Sequence, residues 1–133
     1  MASSFARPPL FGALFLVAAC TPSKTIEPLA LYPASAESHQ ARLLGKLSME
    51  GSCLYIIGEG GERWLAAFPS PGSRWDAGEN GVWVGARLLR VSERGAFVGG
   101  EVSNSRGTLQ WVQAPAASCD DAKLWIVSAL TDL

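Results

Sequence analysis

The chain has 133 residues, of which 11 are basic and 12 acidic, and its formal net charge is −1. A chain of this length forms one globular domain at most. The lysines and arginines are scattered singly along it, whereas nucleic-acid binding needs them clustered on one face. We therefore expect one domain in these residues and have no basis for a nucleic-acid partner.

The first nineteen residues have the pattern of a signal peptide. Residues 1–9 carry one charged side chain, Arg7, and residues 10–19 form an uncharged apolar run. A transmembrane helix needs roughly 20 apolar residues, so a run of this length is typical of the hydrophobic region of a signal peptide. We therefore predict that the chain is exported and that residues 1–19 are removed.

The cleavage region, Val17-Ala18-Ala19-Cys20, resembles the lipobox of bacterial lipoproteins. The resemblance implies cleavage before Cys20 and attachment of lipid to its thiol, which anchors the chain in the cell envelope with a membrane as its partner. An ordinary signal peptide with an incidental Cys20 is the alternative. Thr21 stands where an aspartate retains some lipoproteins at the inner membrane. We therefore expect the outer membrane, facing the periplasm, if the cell is Gram-negative.

The other two cysteines are predicted to form a disulfide. Lipid occupies Cys20, which leaves Cys53 and Cys119 in a protein sent to an oxidising compartment, where disulfides persist. The bond would close a loop of 67 residues and contribute roughly 4 kcal/mol in the chain-entropy model. Two unpaired buried thiols are the alternative. Two cysteines and the distant His39 do not supply the four clustered ligands of a zinc site, so no metal is expected.

Residues 20–40 are predicted to be the lipidated cysteine and a flexible tether. The segment contains Pro22, Pro28 and Pro33 and shows little apolar periodicity. Proline removes backbone donors and favours extended chain, so the tether would hold the following domain away from the membrane.

Residues 41–133 are predicted to form a compact β-domain. Short apolar runs separated by glycine indicate strands at 43–50, 64–68, 82–91, 96–102, 108–112 and 124–127, with a polar loop at 72–81. The run at 53–57 continues the first strand past a bulge at 51–52 or restarts it. A helix over 122–130 is the alternative for the last run. We expect an all-β fold, a small barrel or sandwich of about five to six strands, and an OB-like barrel is one form that the pattern allows.

Within this domain, residues 45–128 resemble a family of small bacterial lipoprotein and secreted domains of uncharacterised function. Phe68 replaces the family's tryptophan, and two glycines stand where three are common. The resemblance implies a compact β-domain closed by a disulfide and brings no catalytic residues. The matching elements are Gly45-Lys46-Leu47, Cys53-Leu54, Phe68-Pro69 with Gly72, Gly99-Gly100-Glu101, and Cys119 with Trp125-Ile126-Val127.

No constellation of residues predicts catalysis. The only histidine, His39, lies in the expected tether, and the paired carboxylates fall in polar turns, where solvated charge is the ordinary explanation. We therefore expect a non-enzymatic binding or structural module of the envelope that uses no cofactor. A periplasmic inhibitor of a lysozyme-type hydrolase is the first alternative, and a cell-wall hydrolase is the second.

Tryptophan is the one compositional excess, and it suggests a binding surface. Alternation along 82–88 places Val82 and Val84 towards the core and turns Trp83 outwards beside Arg87, while Trp75 falls in a loop. Exposed tryptophan near arginine is typical of protein-binding hot spots and sugar platforms. Trp83, Arg87 and Trp75 are therefore the candidate binding residues for an envelope protein or glycan. The alternatives are a covering loop over Trp83 or the opposite strand phase.

Overall fold

The computed structural model describes residues 27–34, 40–102 and 109–133. The predictions for the signal peptide, Cys20 and His39 lie outside these ranges. The described chain is all-β, as predicted, and contains no helix that is long and apolar enough to cross a membrane. In these ranges the strands are β1 (Ala30–Pro33), β2 (Ala41–Glu50), β3 (Cys53–Gly58), β4 (Arg63–Ser70), β5 (Ser73–Asp76), β6 (Gly81–Val84), β7 (Arg87–Arg90), β8 (Arg94–Val102) and β9 (Leu124–Thr131).

Five of these strands close into a barrel. β2 pairs antiparallel with β3 and β8, β3 pairs with β4, and β8 pairs with β9. The parallel pairing of β4 with β9, from Leu65↔Leu124 to Ala67↔Ile126, completes the ring. This connectivity is that of the OB fold, a five-stranded Greek-key barrel. β1 adds to β4 in parallel at the edge of the sheet.

The barrel interior is filled by alternate residues of its strands. Leu47, Ile56 and Phe97 are fully buried there, and Trp64 and Trp125 meet edge to face with ring centroids 6.0 Å apart. Each buried aliphatic or aromatic side chain of this kind stabilises the fold by about 1.5–3 kcal/mol relative to its exposed state. The strands hold this face inwards because their side chains alternate with a period of two.

A second apolar cluster lies outside the barrel, on the outer face of β3, β4 and β9. Residues 109–120, which we call the strap, cover this face. The Cys53–Cys119 disulfide fixes the strap to β3, with Cα atoms 5.6 Å apart, and so confirms the predicted bond. The strap also pairs with β1, where the Leu31 N–H donates to the Gln113 carbonyl at 2.9 Å. The cluster contains Tyr32, Cys53, Tyr55, Leu65, Ala67, Cys119, Leu124 and Ile126.

Residues 73–90 form a separate three-stranded sheet, β5-β6-β7, inserted between β4 and β8. The prediction of one strand over 82–91 is wrong, because the chain reverses after Val84 into a hairpin. Gly85 occupies the turn with φ of 61°, a conformation that glycine adopts without steric cost. The predicted loop at 72–81 contains β5, so this region has three short strands where one was expected.

Two other boundaries differ from the prediction. β1 lies within 20–40, the range expected to be a tether, and its residues Ala30 and Tyr32 are buried in the fold. The strand predicted at 108–112 is absent over the described residues 109–112. The next residue, Gln113, forms an isolated bridge with Leu31 of β1. The last apolar run is a strand, as preferred over the helix.

Candidate binding surface

The three-stranded sheet has one face on the barrel and one face towards solvent. The inner face carries Val82 and Leu89, cross-strand partners that are buried against the barrel interior. The outer face carries the row Arg74–Trp83–Leu88, in which each residue is paired across the sheet with the next. This outer row lies outside both apolar clusters of the fold.

Trp83 is half-buried at the centre of the outer row, in the strand phase that the alternation predicted. Its indole Nε1 donates to Asp76 Oδ2 at 3.0 Å, which restricts the rotation of the ring. The guanidinium carbon of Arg74 lies 5.1 Å from the ring centroid, within the range of a cation–π contact. The ring is therefore held in place without being part of a core.

Asp76 anchors this arrangement and stays ionised. The hydrogen bond from Trp83 has the largest effect in lowering the pKa of the Asp76 carboxyl, followed by one from the Glu79 main-chain N–H at 3.1 Å. The positive charge of Arg74 lowers this pKa further. Asp76 therefore accepts the Trp83 N–H as a carboxylate throughout the neutral pH range.

The other two predicted binding residues do not join Trp83. Arg87 pairs with Val84, so it leaves the sheet on the opposite side from Trp83, and its Nη1 donates to Asp132 Oδ1 at 2.6 Å. The expectation that Arg87 lies beside Trp83 is wrong because the chain turns between them. Trp75 lies in β5, and packs its partly buried ring against the barrel interior.

Arg74 is the neighbour that the sequence analysis missed. It occupies the place beside Trp83 that was assigned to Arg87, because β5 pairs Arg74 with Trp83 across the sheet. The pattern Ser73-Arg74-Trp75-Asp76, followed by a turn rich in small and polar residues and then by Gly81-Val82-Trp83-Val84, was a signal for this hairpin. The sequence analysis interpreted the first half of this hairpin as a loop because its strands are only four residues long.

A shallow groove of about 290 Å³ borders this row. Ser73 pairs with Val84, so its side chain lies on the inner face of the sheet, and its buried hydroxyl has no hydrogen-bond partner among the described residues. The groove is lined by Gly72, Ser73, Arg74, Trp83 and Gly85.

The ligand face typical of the fold is occupied by the chain itself. OB folds bind oligonucleotides and oligosaccharides on the face of their second and third strands, which correspond here to β3 and β4. The strap covers that face, and the Asp120 main-chain N–H donates to the Tyr55 hydroxyl at 2.8 Å. Arg63 extends the closure, with its Nη2 2.8 Å from Asp120 Oδ2. The surface around Trp83 is thus the better candidate for a ligand.

Comparison with known proteins gives no assignment: no family model, curated protein or solved structure matches the chain. The fold class therefore rests on the strand pairings described above. The resemblance to small bacterial lipoprotein domains stays a prediction.

Proposed function

We propose that this chain is an envelope lipoprotein, anchored by lipid on Cys20, whose β-domain binds another envelope component without catalysing a reaction. The observation that carries the binding role is Trp83, a half-buried tryptophan held rigidly by Asp76 and Arg74 on a face that serves neither core. Binding hot spots are enriched in tryptophan and arginine, and a rigid side chain loses little entropy when it binds.

The state of the carboxylates supports a non-catalytic role. Asp76 is engaged by Trp83, and Asp120 is engaged by the Ala122 main-chain N–H and by Arg63. These hydrogen bonds hold the pKa of each carboxyl below its ordinary value. A general acid at neutral pH needs a raised pKa, so neither group is suited to that role.

The anchor is tested by metabolic labelling with tritiated palmitate. The lipobox implies that the full chain carries acyl groups on Cys20, and several buried acyl chains give stable membrane attachment. We expect label in the wild-type chain and in Cys53→Ser, and none in Cys20→Ala. Label retained by Cys20→Ala would refute the lipoprotein assignment.

The binding role is tested by Trp83→Ala, with Arg87→Ala as the matched control on the other side of the sheet. The wild-type chain should capture an envelope component that chemical cross-linking and mass spectrometry identify. We expect Trp83→Ala to lose this capture while its melting temperature stays close to that of the wild type. Arg87→Ala should retain capture. Unchanged capture by Trp83→Ala would exclude this face as the binding surface.

A further inference from the structure

The range expected to be a tether, 20–40, contains a strand that is docked in the fold. Leu29 and Ala30 are 1% and 2% exposed, and Leu29 belongs to the apolar cluster of the barrel interior. β1 then pairs in parallel with β4 along its whole length. The chain therefore joins the folded domain at Leu29, twelve positions before the predicted start of the domain at Ala41.

Contacts on two sides hold β1 in place. Towards the barrel, the Tyr32 hydroxyl donates to the Val127 carbonyl at 2.6 Å. Towards the strap, the Gln113 main-chain N–H donates to the Leu31 carbonyl at 3.1 Å, and Gln113 Nε2 donates to the Leu29 carbonyl at 2.7 Å. Release of β1 would break these bonds and expose Leu29 and Tyr32 to water, which is unfavourable.

The chain between the proposed lipid anchor and the fold is therefore short. Residues 21–28 alone separate Cys20 from Leu29. Because an extended chain spans at most about 3.6 Å per residue, these two residues lie no more than about 32 Å apart, whatever the conformation between them. With a chain free as far as Ala41, the same limit would be about 75 Å. Docking of β1 thus removes more than half of the possible reach.

We propose that β1, locked by the strap, holds the β-domain within about 32 Å of the bilayer in which the lipid is inserted. The acyl groups on Cys20 would be buried in that bilayer, which keeps the residue at the level of the head groups. This inference rests on the proposed lipidation of Cys20.

The short reach also limits where the partner of the outer row lies. A compact domain of about 100 residues has a radius of gyration of about 13 Å, so its far side stands within roughly 65 Å of the bilayer. The partner therefore presents its binding site within this distance of the same membrane.

Neutron reflectometry of the full lipidated chain in a supported bilayer measures the distance directly. We expect a protein layer whose gap from the head groups is less than about 32 Å. The matched control carries a 20-residue Gly-Ser spacer between Thr25 and Ile26, ahead of all the described residues. A spacer of this length has an r.m.s. end-to-end distance of about 25 Å, so the gap should widen by roughly 10 Å or more.

A second variant tests whether docking of β1 sets the gap. Ala30→Asp would bury a charge if β1 stayed in place, so β1 should leave the fold and the gap should widen. Glu27→Gln, at an exposed residue ahead of β1, should keep the wild-type gap. The wild type and the spacer variant decide the question if Ala30→Asp does not fold.

Capture of the envelope component by the spacer variant tests the position of the partner. A partner near the membrane is already within reach of the native chain, so a longer tether should not increase capture. An increase of more than about twofold would place the partner beyond the native reach.

Two further results would overturn the inference. A wild-type gap wider than about 32 Å would mean that β1 leaves the fold at the membrane. Equal gaps in the wild type and the spacer variant would mean that the tether does not set the distance. Either result in a palmitate-labelled chain refutes this inference and leaves the proposed function standing. Absence of both the label and the protein layer would instead refute the lipid anchor itself.

Discussion

In the barrel, Trp64 and Trp125 contact each other and are at most 7% exposed, whereas in the three-stranded sheet Trp75 and Trp83 lie on opposite faces. The difference follows from how each sheet is covered. β3, β4 and β9 are buried on both sides, by the barrel interior and by the strap, so their large apolar side chains contribute to packing. The smaller sheet is covered on one side only, and its outer tryptophan is therefore available for a partner.

The largest difference should appear between matched tryptophan truncations. Trp64→Ala removes a buried ring from the barrel and should lower the free energy of unfolding by about 3–5 kcal/mol. Trp83→Ala removes a half-buried ring, and the lost packing should lower the free energy of unfolding by less than about 1 kcal/mol, as is typical of surface positions. Loss of the hydrogen bond to Asp76 adds to this value. Urea unfolding followed by circular dichroism measures both. Equal losses would mean that Trp83 is packed as tightly as a residue of the barrel interior.

Removal of the disulfide should have an intermediate effect, confined to the side of the barrel under the strap. The double variant Cys53→Ser, Cys119→Ser should lose about 2–4 kcal/mol, because the unfolded chain regains the entropy of the closed loop. Limited proteolysis should then cut within 109–120 before it cuts any barrel strand. The matched control is the wild-type chain without reductant. First cleavage within 73–90 would show that the smaller sheet is the less stable region.

An effect confined to alkaline pH concerns Tyr32, whose hydroxyl donates to the Val127 carbonyl at 2.6 Å beneath the strap. Burial raises the pKa of Tyr32 from 10.0 to about 12. Because the folded state favours the neutral phenol, its stabilising contribution is complete below pH 10 and is lost as the pH rises towards 12. The free energy of unfolding, measured between pH 10 and 12, should decline in the wild type and decline less in Tyr32→Phe. An identical decline in the variant would assign the effect to other groups.

Much of the barrel was predictable because its strands carry local signals. β2, β3, β8 and β9 alternate or run apolar over six residues or more, and glycines separate them. β1 was not predicted because it is four residues long and contains Pro33, which is typical of extended tethers. Its place in the fold depends on pairing with β4, a long-range contact that local composition does not encode.

The candidate site was predictable only in part, for the same reason. The alternation of Val82, Trp83 and Val84 gave the outward orientation of Trp83 correctly, because it depends on adjacent residues alone. The identity of its neighbour depends on the register between β5 and β6, which places Arg74 opposite Trp83. A turn at Gly85 was sufficient to move Arg87 to the other side of the sheet.

The position of β9 in the barrel has a consequence for the order of folding. β9 pairs with β8 on one side and with β4 on the other, and its partner at Leu65 precedes Leu124 by 59 positions. The ring therefore stays open until residues 124–131 have been synthesised, and long-range pairings of this kind form slowly. The barrel therefore lacks its closing strand until the other described strands have all been made. The disulfide between Cys119 and Cys53 then joins the segment that leads into β9 to β3 on the opposite side of β4.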